Sequence, residues 1–387
     1  MKIETLKILM NIRKRHNLFY DLLNQFKKYQ LMENINYNQF ETEEGPIPVI
    51  TITKTKDIDE VKYVKLFIGA QHNEYNGLFG ILEFFNRLRN QVIDLNHISY
   101  ENQILIFLPL MNPYGFLNPK KENKSGYYLR NGLNLNRFWR KVFVPNYVNE
   151  DKEIKESQIP EQAKIVENII QKYWNNNQFN IYIMDFHETS LMLRYLEKLI
   201  ENLHKDLSTY KFEHWLEEKI ILNIIELHKI INSRKPFFYK SFSKQNHTHI
   251  NLTIKEMELV HKKLKEYYIK NIDKLPFYFC YSSKSQNYCE ELARNVYEKL
   301  REKLWETKFP AFDHKFHDYG CFVNMNENIS REKVYCMELE THKQFFNIFE
   351  EIEKSEVDSC YFEKKLEIVN ISIELVVETI KQMIFLF

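Results

Sequence analysis

Residues 62–88, KYVKLFIGAQHNEYNGLFGILEFFNRL, carry the pattern that decides the fold. The first part, KYVKLFIG, is a short apolar run closed by a glycine, which reads as a buried strand. A loop bounded by Gly69 and Gly77 follows. From Leu78 to Leu88, apolar residues fall at positions 78, 79, 81, 82, 84, 85 and 88, the spacing of an amphipathic helix. Strand, loop and helix in that order form one unit of an α/β domain.

The same alternation extends in both directions. Upstream, the β-branched stretch Pro48–Thr53 reads as a strand, and residues 4–34 as one or two helices. Residues 1–44 are therefore expected to form an N-terminal helical segment ahead of an α/β domain over 45–387. Downstream, Gln103–Leu110 is a buried strand stopped by Asn112-Pro113-Tyr114-Gly115. Residues 116–159 are polar and irregular. Pro160 opens a helix to about Trp174, and Phe179–Phe186 (FNIYIMDF) is another apolar strand. Residues 190–274 carry many charges and helical patterns with almost no strand signal. They read as a helical insertion, packed peripherally or capping the site. The sheet resumes at Pro276–Tyr281, a helix follows over about 286–305, and Lys333–Leu339 is the final strand. Such alternation predicts an α/β sheet with helices on both faces.

Composition narrows the function classes. Of the 387 residues 44% are hydrophobic, with 29 Phe and 24 Tyr, ample for a large core. No apolar stretch approaches the ~18–20 residues that cross a bilayer. The N-terminus carries Lys2, Glu4 and Lys7 without a long apolar stretch, unlike a signal peptide. The closing VVETIKQMIFLF reads as a helix packed on the core. With 54 basic and 53 acidic residues the net charge is +1, which argues against nucleic-acid binding driven by bulk charge. Five cysteines without a C-x-x-C pair read as reduced thiols in a cytoplasmic protein, not a disulfide frame.

Polar residues gather where the predicted strands end, the edge at which open α/β sheets bind ligands. His72 and Glu74 follow the strand ending at Gly69, and Asn112 follows the one ending at Leu110. Asp185 and His187 close the strand at Phe186, and Glu340 closes the strand from Lys333. Two imidazoles and a carboxylate suit zinc, with one position left to water. A carboxylate beside that water is a general base. Asp185, two residues before His187, is placed either to orient the imidazole or to sit as a solvated strand-end acid.

These segments resemble the M14 metallocarboxypeptidase family. GAQHNEYNG is similar to its His/Glu zinc loop, LPLMNPYGF to its Asn-Pro-x-Gly element, and RNGLNLNRFW to its Gly-x-Asp-x-Asn-Arg motif with an upstream arginine. MDFHET is similar to the segment bearing the third ligand, and CMELETH to the strand with the catalytic glutamate. The ordered set spans residues 45–345. It implies a mixed, largely parallel central sheet, with Zn2+ held by His72, Glu74 and His187. It also implies Glu340 as general base and Arg130 on the scissile carbonyl. Asn136 and Arg137 would anchor a substrate carboxylate, and Tyr319, in HDYGCF, would close over the substrate.

The chain departs from that pattern in three places. The ligand spacing is His72-Asn73-Glu74, one residue shorter than His-x-x-Glu. Asn134 stands where the family has Asp. Two glutamates, Glu338 and Glu340, share one strand face, and only the resemblance favours Glu340. Glu188, next to His187, has no assigned role. The implied activity is zinc-dependent hydrolysis of a peptide amide next to a free C-terminal carboxylate. The alternatives are a deacylase of N-acyl amino acids resembling aspartoacylase or succinylglutamate desuccinylase, and a metal-free binding protein.

Overall fold

The computed structural model describes residues 15–55, 57–95, 101–118, 126–143, 159–189, 237–238, 278–300, 311–313, 321–342 and 359–386. Its strands in chain order are β1 (Ile35–Phe40), β2 (Ile47–Ile52), β3 (Tyr63–Ile68), β4 (Gln103–Leu108) and β5 (Asn180–Thr189), then β6 (Phe237–Phe238), β7 (Tyr278–Tyr281), β8 (Ala311–Asp313) and β9 (Val334–His342). They form one sheet in the spatial order β1-β2-β4-β3-β5-β9-β7-β8-β6. The central four, β4-β3-β5-β9, run parallel, while β1–β2, β2–β4 and β7–β9 pair antiparallel. The sheet is therefore mixed with a parallel centre, as expected.

The central strands are apolar almost without a break because helices cover both of their faces. On one face lie the helices Asn76–Arg89, Gln286–Leu300 and Ser359–Phe385, whose buried residues join Phe67, Phe107, Tyr182 and Leu339 in one core. There Phe67 and Phe107 stack at 4.8 Å, and Phe84 stacks on Phe107 at 5.6 Å. On the other face, the helices Glu161–Trp174 and Trp139–Phe143 pack on Val64, Leu66, Ile106 and Ile183. The Glu161–Trp174 helix buries Ala163, Val166, Ile170 and Tyr173, an i, i+3/i+4 stripe. Removing a buried ring such as Phe107 from this packing costs about 3–5 kcal/mol.

Several boundaries differ from the sequence reading. Residues 35–40, inside the segment expected to be helical, form the edge strand β1. Only Ile35 is buried and Tyr37 half-buried, so the apolar alternation that marks it is too short to read as a strand. Upstream of it, Arg15–Lys28 is helical as expected. Within 116–159, taken as irregular, Trp139–Phe143 is a short helix that inserts Trp139 into the core. The expected insertion at 190–274 lies outside the described residues apart from β6, which is a strand. Cys280, Cys289, Cys321 and Cys336 are free and buried. No described helix is long and apolar enough to cross a membrane.

One offset in the sheet builds the site. β3 ends with Ile68 opposite Asp185, whereas β5 and β9 continue together to the pair Thr189↔His342. The loop leaving β3 therefore runs beside the extra length of β5. Gly69 and Gly77 touch back to back across this loop. A Cβ on Gly69 would lie 2.9 Å from the Gly77 carbonyl carbon, and one on Gly77 would lie 2.7 Å from Phe186 Cβ. Only glycine permits that approach. Ala70 takes φ 43°, a left-handed conformation that L residues rarely adopt.

Candidate metal centre

The tight loop brings His72 and Glu74 against His187. One ligand atom from each, two imidazole nitrogens and a carboxylate oxygen, lies within 4.8 Å of the others, and all three residues are buried. Glu74 Oε2 is 2.7 Å from His187 Nδ1 and 3.5 Å from His72 Nδ1. The skipped residue of the His-x-Glu spacing thus does not part the two ligands.

The far side of each ring is tied. His72 Nε2 is 2.8 Å from Asn134 Oδ1, and His187 Nε2 is 2.9 Å from Asp185 Oδ2. An amide oxygen and a carboxylate can only accept, so each Nε2 carries a proton, and Nδ1 is the nitrogen that each ring turns toward Glu74. Asn136 Nδ2 also approaches His187 Nε2, at 3.3 Å. Behind Asp185, Gln71 Nε2 donates to Oδ2, and Trp139 Nε1 donates to Gln71 Oε1 at 3.1 Å. A relay of Trp139, Gln71 and Asp185 therefore holds the His187 ring. Asn134 does the same for His72 with a neutral amide, and its Oδ1 also accepts from the Asn136 backbone N–H at 2.9 Å.

The electrostatics fit a cation between these groups. Burial alone would raise the Glu74 carboxyl, but the adjacent His187 and His72 imidazoles outweigh it and hold Glu74 well below the usual carboxylate range. Burial would lower the His187 imidazole, yet Asp185 and then Glu74 hold it well above the ordinary histidine value. His72 Nδ1 is buried and makes no hydrogen bond. Two nitrogens and one oxygen, each ring fixed from behind, are a donor set that could hold a metal ion.

Glu340 pairs in register with His187, and Glu338 with Asp185. The two glutamates thus separate in depth: Glu338 is fully buried beside the Asp185 relay, and Glu340 stands next to the ligand. Cys280 lies opposite Glu338 on β7, and its sulfur groups with Glu338 and Glu340 within 4.8 Å. Glu188, without a role in the sequence, accepts the backbone N–H groups of Tyr75 and Asn76 at 2.7 and 2.8 Å. It closes the start of the Asn76–Arg89 helix, where Tyr75 provides no side-chain cap. Asn76 Nδ2 in turn donates to the His187 carbonyl at 2.8 Å and to Thr341 Oγ1.

The remaining predicted residues divide. Asn136 is buried against His187, and the half-buried Arg137 folds back so that Nη1 donates to the Asn136 carbonyl at 2.7 Å. Arg130 is exposed. Its guanidinium lies 5.1 Å from the Tyr114 ring centroid, its backbone N–H donates to Glu44, and no described contact joins it to the metal group. Asn112 caps the short helix Pro113–Leu117 by accepting the Gly115 N–H, a local structural task. Tyr319 lies outside the described residues. Sequence reasoning missed Gln71, Trp139 and Tyr127. Gln71, beside His72 in the same motif, was the one signal that offered itself.

No family model matches the chain, and no curated protein sequence matches it. Solved structures do. A metallo-carboxypeptidase from Burkholderia cenocepacia is similar with a TM-score of 0.45 and 11% identity, over 93% of this chain and 67% of that one. Bovine thrombin-activatable fibrinolysis inhibitor, in complex with tick carboxypeptidase inhibitor, is similar with a TM-score of 0.45 and 10% identity, over 97% of this chain and 99% of that one. At such low identity, chemistry has to be read from the side chains of this chain.

Proposed function

We propose that the chain is a zinc-dependent hydrolase that cleaves a peptide amide next to a free C-terminal carboxylate. The supporting observation is the convergence of two Nδ1 atoms on one carboxylate, each imidazole locked through Nε2, with Glu340 in register beside His187. When bound there, zinc supplies a Lewis acid and lowers the pKa of a water toward neutrality. His72, Glu74 and His187 hold the ion, and Asp185 and Asn134 fix which nitrogen each ring offers. Glu340 accepts the proton from the attacking water and returns it to the leaving amine. Asn136 and Arg137, beside His187, receive the substrate carboxylate, for which a guanidinium offers a bidentate fork. Arg130, turned over Tyr114, is given no step.

The test uses the purified full-length chain. Metal analysis is expected to find about one zinc per chain, the stoichiometry of a single closed ligand set. An N-blocked dipeptide with a free carboxylate is expected to be hydrolysed, and its amidated counterpart to be refused. Absence of zinc, or equal turnover of acid and amide, would overturn this reading.

A further inference from the structure

The Tyr127 ring stacks on the His72 imidazole, with centroids 4.0 Å apart and planes 10° from parallel. Tyr128 packs edge-on against Tyr127 at 5.0 Å and 70°. A turn built on backbone bonds from Leu129 N to Leu133 O and from Gly132 N to Leu129 O, both 2.9 Å, follows directly. Gly132 sits in it at φ 81°, as the turn requires. The turn carries Arg130 outward over Tyr114, while Tyr127, just before it, faces the metal group.

We propose that Tyr127 is a positioning residue for the metal ligand His72, an inference that rests on the zinc site proposed above. The need arises from the shortened loop. With only Asn73 between the ligands and Ala70 already at φ 43°, the backbone has little freedom left to orient the ring. The Asn134 hydrogen bond fixes the direction of Nε2 but leaves the ring free to rock about that line. A flat ring in van der Waals contact removes the rocking. It also shields one imidazole face from water, and an apolar wall of this kind tunes a metal site. His187 is held differently, by a carboxylate relay that ends in Trp139. His72 thus combines a neutral amide with an aromatic stack, and the divalent ion it serves is one that favours imidazole and carboxylate donors.

Three full-length chains decide the matter: wild type, Tyr127→Phe and Tyr127→Leu. Zinc affinity is read by competition with a chromophoric chelator. Ligand geometry is read from the visible d–d spectrum of the cobalt(II)-substituted proteins. Tyr127→Phe keeps the ring and is expected to match wild type in both. Tyr127→Leu is expected to bind zinc about 10–100-fold more weakly, the usual effect of losing a group that orients a ligand, and to shift the cobalt spectrum. A leucine variant with wild-type affinity and spectrum would refute the inference. Should that variant not fold, Tyr127→Phe still decides: reduced affinity there assigns the effect to the hydroxyl and ends the ring-stacking account, while retained affinity supports it. A wild-type chain that binds no zinc defeats the metal reading itself, whereas zinc in wild type beside an unaffected leucine variant defeats only the role of Tyr127.

Discussion

Two of the places that bury ionisable groups resolve the cost in opposite ways. At the carboxyl ends of β3 and β5, His72, Glu74, Asp185 and His187 lie together and satisfy one another around a seat for a cation. In the middle of β3, Lys65 is fully buried. Its ammonium donates to the Met383 carbonyl at 2.5 Å and lies 5.7 and 5.9 Å from the Tyr63 and Tyr182 rings. Gln103, also buried, donates to the Ile384 carbonyl at 3.1 Å. Both side chains satisfy carbonyls at the end of the Ser359–Phe385 helix, where the helix dipole is negative. The first place gathers several charges into a group that could hold a further ion. The second uses two donors to fasten a helix. Buried charge points to a functional site where several ionisable groups converge on shared space, and to a tether where a backbone carbonyl accepts its hydrogen bond.

The largest expected effect separates chemistry from metal binding within the first place. Glu340→Gln should lower kcat by about 10²–10⁴-fold, the usual contribution of a positioned general base, with zinc content and melting temperature unchanged. Full activity in that variant, with Glu338→Gln inactive, would move the base two residues along β9.

Next in size is the relay behind His187. Asp185→Asn should weaken zinc binding by about 10–100-fold, because a neutral amide oxygen is a weaker acceptor for the Nε2 proton than the carboxylate. The reverse change, Asn134→Asp, should tighten zinc binding, since a carboxylate replaces the amide behind His72. Isothermal titration of both metal-free variants measures the pair, and equal affinities across them would mean that neither acceptor orients its ring.

Substrate recognition is expected to respond through selectivity. Arg137→Ala should raise KM for the free acid and bring acid and amide substrates close together. Arg130→Ala should leave the discrimination in place. Steady-state kinetics on a matched pair distinguishes them, and lost discrimination in Arg130→Ala would show that the outward arginine reaches the substrate.

The smallest effect belongs to the tether. Burial lowers the Lys65 ammonium from its ordinary 10.5 to about 7. Between those values the unfolded chain holds a proton that the folded chain does not, so stability rises with pH across this window and falls as pH drops toward 7. The slope from this one group is at most about 1.4 kcal/mol per pH unit. Chemical denaturation between pH 7 and 10 should show Lys65→Met with a flatter dependence than wild type. Parallel slopes would mean that Lys65 keeps its proton in the fold.

Much of this protein was legible in its sequence. Apolar runs marked β2, β3, β4, β5, β7 and β9, and periodicity marked the helices Asn76–Arg89 and Glu161–Trp174, because burial on both faces or along one stripe leaves a pattern in the residues themselves. The ligand trio was legible for the same reason: chemistry restricts which side chains can follow those strands. Edge strand β1 was not, since its alternation is limited to Ile35 and Tyr37. Nor, Asp185 apart, were the tasks of the groups around the candidate ligands. Gln71, Trp139, Asn134, Tyr127 and Glu188 are ordinary residues whose tasks arise from how far β5 outruns β3 and from where the 126–133 turn points. Sequence determined which atoms can hold a cation. Only the tertiary structure decided which nitrogen of each imidazole faces Glu74, that Arg130 lies over Tyr114 and that Glu188 caps a helix, because those outcomes depend on distances between segments far apart in the chain.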